Sequence, residues 1–583
     1  MHAIYPPTCA CAHTYHARKH TAQFHVHIYA RTLSRTLSST LSRRMNASLV
    51  QRVFHVRGPE DIQQVVRLAR ANGVQVSCRG TQHTMGGHTI ATGGYVIDCK
   101  NLRQLSFDPS TGVCVTGPGN TWADLIKMLN EYGFSPRTMQ SYCTFSVGGS
   151  IAVGAHGITT DFPVSESVLS CKIVDAEGNL RELKQGDEEI KYVCGGYGLF
   201  GIIYEVVMKV DSNHHLSMDM LDCDLASFPQ LFDAVVKDPQ VDIKLARLDV
   251  TNLDKLTIFV FRNACVSNVR TVSALPTKPR EMTTKTRLMY KWLAPSMQQV
   301  RGIIESVSGS AVDWVDANER NLLMYESAQP LVDLYSPILD IDDTFVLQEY
   351  FVPKSQISQW VSGARAYYSR ALQSERVTIL NTTIRVVEKD VWSALPYAPH
   401  AEGSAAFVLY WRIERNATAD AELAGFHRDF AALTVSLGGR FYLPYRHHYS
   451  QTELLQAYPE FPEWVAAKQK RDPECLFSNE WFEHYGMPFW SGGGKKPHPS
   501  PVAAVHAWDD GDMKTGYTLP IVSERRSHSM QKLFTNPVAW RAFRDEFLVN
   551  IFSLQDNVAL SAKVTQAVMR ARIQGLDDQV PKP

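Results

Sequence analysis

Apolar side chains fall at Ile62, Val65, Val66 and Ala69, behind Pro59, Glu60 and Asp61 and ahead of Gly73. That spacing predicts an amphipathic helix with acids in its first turn and a glycine at its end. The period then shortens to two. Residues 74–78 alternate as a strand, and Tyr95–Asp98 and Val113–Thr116 are further β-branched runs. Thr121 followed by Asp124 resembles a capping box with Asp in place of Glu, and Trp122, Leu125, Ile126 and Leu129 line the helix it opens, which Gly133 closes. Residues 202–210 return to a strand pattern, as do 345–352 and 406–413, the last two among helical stretches. Beyond a Gly- and Pro-rich linker at 490–501, residues 538–569 read as helical, with an apolar face of Trp540, Phe543, Phe547, Leu548 and Ile551.

Charge narrows the function before any motif does. The 59 Lys+Arg balance 59 Asp+Glu, so no basic field exists to hold a nucleic acid through counterion release. With 44% hydrophobic and 20% charged residues over 583 positions, the chain reads as two or three globular domains rather than a disordered tail. No apolar run approaches the roughly 20 residues of a membrane-spanning helix. Eleven cysteines, an odd total with no Cys-x-x-Cys, argue for buried thiols over a disulfide framework.

No acid precedes Glu60, whereas Arg, Ser and His abound, and Leu33, Leu37 and Leu41 recur every fourth position with Arg31, Arg35, Arg43 and Arg44 largely off that stripe. This is the composition of a mitochondrial transit peptide. An unstructured extension ahead of a start at Met45, in a cytoplasmic protein, is the other reading. Cys9, Cys11, His13, His16, His20, His25 and His27 match no standard zinc spacing, so no metal site is expected.

The chemistry lies in three glycine clusters, at 79–88, 146–157 and 194–201. The third contains G-x-G-x-x-G at Gly196, Gly198 and Gly201, but a dinucleotide fingerprint needs a helix next, and 202–210 is strand-like. A Rossmann site, and with it a nicotinamide cofactor, loses its main support. In this order the clusters resemble the FAD-binding domain of the vanillyl-alcohol oxidase, or PCMH-type, family, in which loop amides hold the flavin pyrophosphate.

The resemblance implies an α+β fold: a basic extension or transit peptide over 1–49, a two-subdomain FAD-binding domain over 50–213, a substrate domain over 214–486 whose sheet covers the flavin, and a linker with a small helical extension over 487–583. It implies FAD, bound by Arg79, Gly80, Thr81, Gln82, His83, Thr84, Gly148, Gly149, Ser150, Gly154, Gly201 and Ile203. Residues 79–84 look like the Gly-x-Gly-His-Ser segment of cytokinin dehydrogenases and aldonolactone oxidases, with Gln82 in place of the second glycine. His83 falls on the histidine that carries FAD covalently through its 8α-methyl group, and an imidazole nitrogen suits that addition.

Near the end, 437–446, 458–464 and 468–479 look like the closing segment of decaprenylphosphoryl ribose oxidase. The Asp-Pro and Phe-x-Asn within it also resemble aldonolactone and alditol oxidases. The departures matter: Ser141 stands where cytokinin dehydrogenases have an aspartate base, Tyr445 replaces a lysine, and no His-Trp-x-Lys occurs. Cys143 lies one position from the second flavin link of berberine-bridge-type enzymes, which implies a single link. The base is therefore expected to be Tyr442 or Tyr445, beside Arg446, which would depress a tyrosine pKa or bind an anionic substrate, with His448 as the backup base. His156 is next in line. The implied activity is hydride transfer from a CH–OH donor, a sugar alcohol or lactone, to flavin N5, with oxygen or another acceptor. A flavin-dependent alkene reductase using NAD(P)H, or a flavin-binding protein without turnover, are the alternatives.

Overall fold

A computed structural model describes residues 36–38, 48–264, 275, 319–326 and 343–491. The predicted helical face at 538–569, the linker beyond residue 491, the Cys/His tract and most of the basic leader lie outside the described residues. Within the leader, Thr36–Ser38 pairs antiparallel with Ser48–Val50, so these three positions are strand where the leucine spacing suggests an amphipathic stripe.

The first predicted helix forms as Pro59–Asn72, burying Ile62, Val65, Val66 and Ala69, and Gly73 ends it at φ 62°, where a side chain would be strained. It packs on a three-stranded parallel sheet ordered Arg52–His55, Tyr95–Asp98, Val76–Arg79. The last of these strands starts later than its alternation suggests, because the Val74 amide still donates to Ala69 O. Thr121 and Asp124 form both bonds of the capping box. The helix they open, Trp122–Asn130, stops short of Gly133, whose carbonyl accepts from Asn213 instead.

A six-stranded antiparallel sheet completes the first half: Leu180–Lys184, Val168–Val174, Ile202–Ser212, Val113–Thr116 and Leu105–Asp108 lie in that order, and Phe134–Pro136 pairs on Ile202–Ser212. The third glycine cluster thus runs straight into a strand, and no dinucleotide-type helix follows it. Together the two sheets make up the first half, the segment expected to bind FAD.

The second half is a seven-stranded antiparallel sheet ordered Leu216–Asp224, Lys255–Asn263, Val241–Leu248, Val377–Val387, Ser404–Glu414, Asp343–Pro353, Arg440–Phe441. One face is buried under helices Ile357–Gln373 and Ala417–Ser436: Trp360 stacks on Phe407 at 3.9 Å, and Tyr368 and Thr382 share a hydroxyl bond of 2.7 Å. The other face turns to the first half, where Glu349 meets His156 and Arg385 meets Ser141. The chain then returns, with Val76 donating to Leu476 O at 2.7 Å and Ser478 to Val76 O at 3.0 Å, so the closing segment props the strand that leads into the first glycine loop. No helix among the described residues is long and apolar enough to cross a membrane.

Candidate active site

The loop after strand Val76–Arg79 carries His83. Its neighbour Gln82 holds φ 61°, a left-handed conformation in a side-chain-bearing residue at the position where the motif has glycine. His83 stacks on Phe145 with ring centroids 3.7 Å apart and lies 6.5 Å from Tyr142. Burial lowers its pKa to about 4, against a backbone hydrogen bond with Thr144. The imidazole is therefore neutral at physiological pH. Its Nδ1 and the Thr84 hydroxyl are buried without partners, so they are the side-chain atoms of the expected FAD set still open to a cofactor. A neutral imidazole with a free nitrogen fits the role the resemblance implies.

Other members of that set hold the loops instead. The segment expected as an open glycine loop coils into a short helix, Val147–Ala152, which engages the amides of Gly148 and Ser150 with Pro118 O at 3.1 Å and Ser146 O at 3.0 Å. The Gly154 amide donates to Ile151 O at 3.0 Å, and the Ser150 hydroxyl receives Trp122 Nε1 at 2.9 Å. Thr81 exchanges bonds with Ser146, Arg79 Nε binds Asp98 at 3.0 Å, and Ile203 sits in the ladder opposite Ile173. These bonds fix the shape of the loops that are expected to hold FAD. A Cβ on Gly80 or Gly149 would lie 2.1 or 2.8 Å from Ser146 Oγ, and one on Gly201 2.7 Å from Ile173. Bare backbone at these positions lets the loops close on each other.

A buried group of titratable side chains lies where the sheet meets the 146–157 loop. Glu349, on strand Asp343–Pro353, places Oε2 2.6 Å from His156 Nε2, and its Oε1 accepts from the Tyr445 hydroxyl at 2.5 Å. Arg385, on strand Val377–Val387, donates to Ser141 Oγ at 2.5 Å. Burial alone pushes the Glu349 carboxyl up, but His156, Arg385 and Tyr445 together hold it below the ordinary carboxylate range. Burial lowers the Arg385 pKa, opposed by Glu349, Tyr445 and Tyr142. Tyr142, which also hydrogen-bonds Tyr410, connects this group to the His83 stack. The buried atoms His156 Nδ1, Tyr397 Oη and Arg385 Nε have no hydrogen-bond partner.

The four closing-segment residues expected at the reactive edge divide. Tyr445 joins Glu349. Tyr442 donates to Val153 O at 2.9 Å and Gly154 O at 3.2 Å, and its amide binds Glu349 O at 2.9 Å, so it fastens the His156 loop to the Glu349 strand. Burial raises the pKa of both tyrosines, and the Glu349 charge raises them further. Arg446 pairs with Asp420 at 2.6 Å, and His448 lies between Asp420 at 3.2 Å and His427 at 2.8 Å. These two belong to a separate polar group under helix Ala417–Ser436, formed because Asp420 in its first turn is the nearer counter-charge.

Glu349 and Arg385 escaped the sequence reading. Their signal was there: a carboxylate and a guanidinium, each inside an apolar strand, are rarely buried without a task. Lacking a local motif, neither could be told from a structural ion pair.

Residues 50–184 match the family model described as FAD binding domain, and residues 250–485 match D-arabinono-1,4-lactone oxidase. Cytokinin dehydrogenase 2 of Arabidopsis thaliana is 28% identical over 158 residues, 26% of this chain and 31% of that protein. L-galactono-1,4-lactone dehydrogenase 2, mitochondrial, of Oryza sativa subsp. japonica is 30% identical over 155 residues, 26% of either chain. A solved structure of 6-hydroxy-D-nicotine oxidase from Arthrobacter nicotinovorans aligns with a TM-score of 0.49 at 14% identity, covering 74% of this chain and 90% of that one. The chain spans about a third of the length of the curated relatives it matches. Over these two segments the chain is similar to FAD-linked oxidases and dehydrogenases, an FAD-binding domain followed by an aldonolactone-oxidase segment.

Proposed function

We propose that the protein carries FAD covalently on His83 and oxidises a CH–OH donor, a sugar alcohol, lactone or related small molecule. The observation that carries this reading is the buried, ionised Glu349 held between His156 and Tyr445 beside Arg385. Bound FAD supplies the acceptor for the hydride. Removing hydride from a carbinol leaves a developing positive charge, so a base must take the hydroxyl proton as the C–H bond breaks. Glu349 is that base, in place of the closing-segment tyrosines. His156 and Arg385 keep it ionised in a buried setting, and Tyr445 fixes one of its oxygens, leaving the carboxylate's remaining lone pairs for the substrate hydroxyl. Tyr442 sets the spacing of His156 and Glu349 through its three hydrogen bonds. Ser141, held by Arg385, has no part in proton transfer.

Anaerobic mixing of the flavin-loaded protein with polyols, sugar alcohols and lactones tests the reading. Bleaching of the flavin by a carbinol supports it. Bleaching by NADPH with none by any carbinol would replace it with an alkene reductase, and bleaching by neither would leave a flavin-binding protein without turnover. The acid-free, Arg-rich leader and the mitochondrial rice relative support a mitochondrial address, which co-fractionation of a C-terminally tagged full chain would check.

A further inference from the structure

Across the cofactor-facing side of the seven-stranded sheet, Glu349 stands opposite Val408, Val408 opposite Thr383, and Thr383 opposite Arg247. Directly opposed residues of an antiparallel ladder share a face, so Arg247 projects on the same side as Glu349. Arg385, two residues beyond Thr383 on its strand, shares that face. Three strand spacings separate Glu349 from Arg247, about 14 Å of backbone at roughly 4.8 Å each.

Arg247 is unusual among the arginines of this sheet. Arg262 pairs with Asp238, Arg440 with Glu460, and Arg412 with Asp343 at 2.8 Å; even Lys244, on Arg247's own strand, has Asp161 at 2.9 Å. Among the described residues, no carboxylate pairs with Arg247. Its guanidinium lies 5.6 Å from the centre of the Phe259 ring, and its Nε is buried with no hydrogen-bond partner. A half-buried guanidinium without a counter-charge is costly unless a ligand supplies one.

We infer that Arg247, with Arg385 between it and Glu349, forms an oxyanion subsite, and that the substrate is a hydroxy compound bearing a carboxylate or phosphate remote from the carbon that is oxidised. This rests on Glu349 being the site of carbinol oxidation. The separation disfavours a small 2-hydroxy acid, whose carboxylate adjoins the reacting carbon. It favours an acidic sugar derivative long enough to reach both ends.

The test titrates gluconate, glucitol 6-phosphate and neutral glucitol into the flavin-loaded full chain, reading the flavin absorbance shift in the absence of turnover, alongside anaerobic bleaching. At least one acid should bind about 10-fold or more tightly than glucitol, the scale of one charge-assisted bond. That preference should be lost in Arg247→Gln and largely kept in Arg247→Lys, whose retention also reports an intact fold. Which acid wins identifies the oxyanion as carboxylate or phosphate. Absent binding of both acids, or binding that Arg247→Gln leaves unchanged, overturns the subsite, and bleaching by glucitol in that case still supports carbinol oxidation. Arg247-dependent acid binding with bleaching by NADPH alone supports the subsite and sinks the proposed reaction.

Discussion

His156 and Glu349, 193 positions apart in the chain, meet at 2.6 Å where the second glycine loop touches the seven-stranded sheet. Neither domain contains the pair by itself, so the pair exists only once the two halves have docked.

Replacing Glu349 by Gln should slow anaerobic flavin reduction by about 100-fold or more, the usual scale for losing a general base, while the flavin stays bound. The pH dependence follows from the sign of the shift. A carboxyl held below its ordinary range keeps its base form as pH falls, so reduction fails only on crossing that depressed pKa. In His156→Gln the strongest of the opposing charges is gone, burial prevails, and the acid limb should move to higher pH. Stopped-flow reduction measured across pH checks both; an acid limb that stays put in His156→Gln removes His156 from the mechanism.

The covalent link is tested on denatured protein. Acid-precipitated wild type should remain yellow and fluoresce in a denaturing gel, whereas His83→Ala should release its flavin on precipitation yet still bind it when native. Free FAD released from the unmutated chain by acid would exclude attachment at His83 while leaving the fold untouched.

Much of the fold was legible because it is local. The Gly73 helix stop and the Thr121 capping box depend on neighbours within one turn, and the strand after Gly201 announces itself by β-branching alone. His83 was legible for a different reason, as one position in a motif. The Glu349 carboxylate was not, because its setting depends on His156 and Arg385, brought to it by docking and by sheet order that no short-range pattern encodes. Arg446 and His448 show the mirror image of this. They adjoin Tyr445 in sequence, but Asp420 on a neighbouring helix draws them to the other side of the sheet.

Buried histidines make stability fall with acid. Burial lowers His88 to about 3 and His83 to about 4, and pushes His447 and His427 below their ordinary value as well. In the unfolded chain each takes up its proton near pH 6.5. Below that the unfolded state binds more protons, so stability is full above about pH 6.5 and declines as pH drops toward the folded pKa, by about 1.4 kcal/mol per unit for each histidine. Urea unfolding of the apoprotein from pH 7 to pH 5 should show that slope. His88→Phe, which keeps a ring against Trp481 and Tyr197, should lower it by one histidine's share; an unchanged slope would mean His88 is protonated in the fold.

The Asp-Pro motif at Asp472 has a structural task, and its loss should reach the flavin. Lys468 and Asp472 form an ion pair with the lysine side chain fully buried, and Asp472 also accepts the amides of Leu476 and Phe477, each at 2.9 Å. Those bonds shape the turn that lays Leu476 and Ser478 against Val76, the strand running into the His83 loop. In Asp472→Ala the Lys468 ammonium is left buried and unpaired and two amides lose their acceptor, a cost of about 3–5 kcal/mol. The double variant Lys468→Met, Asp472→Asn removes the stranded charge and keeps a side-chain carbonyl for the turn, so it should recover a substantial part of that loss. Chemical denaturation ranks the three proteins, and flavin retention through gel filtration reports whether the loop has loosened. A double variant no more stable than Asp472→Ala would show that the turn, and not the buried charge, carries the energy.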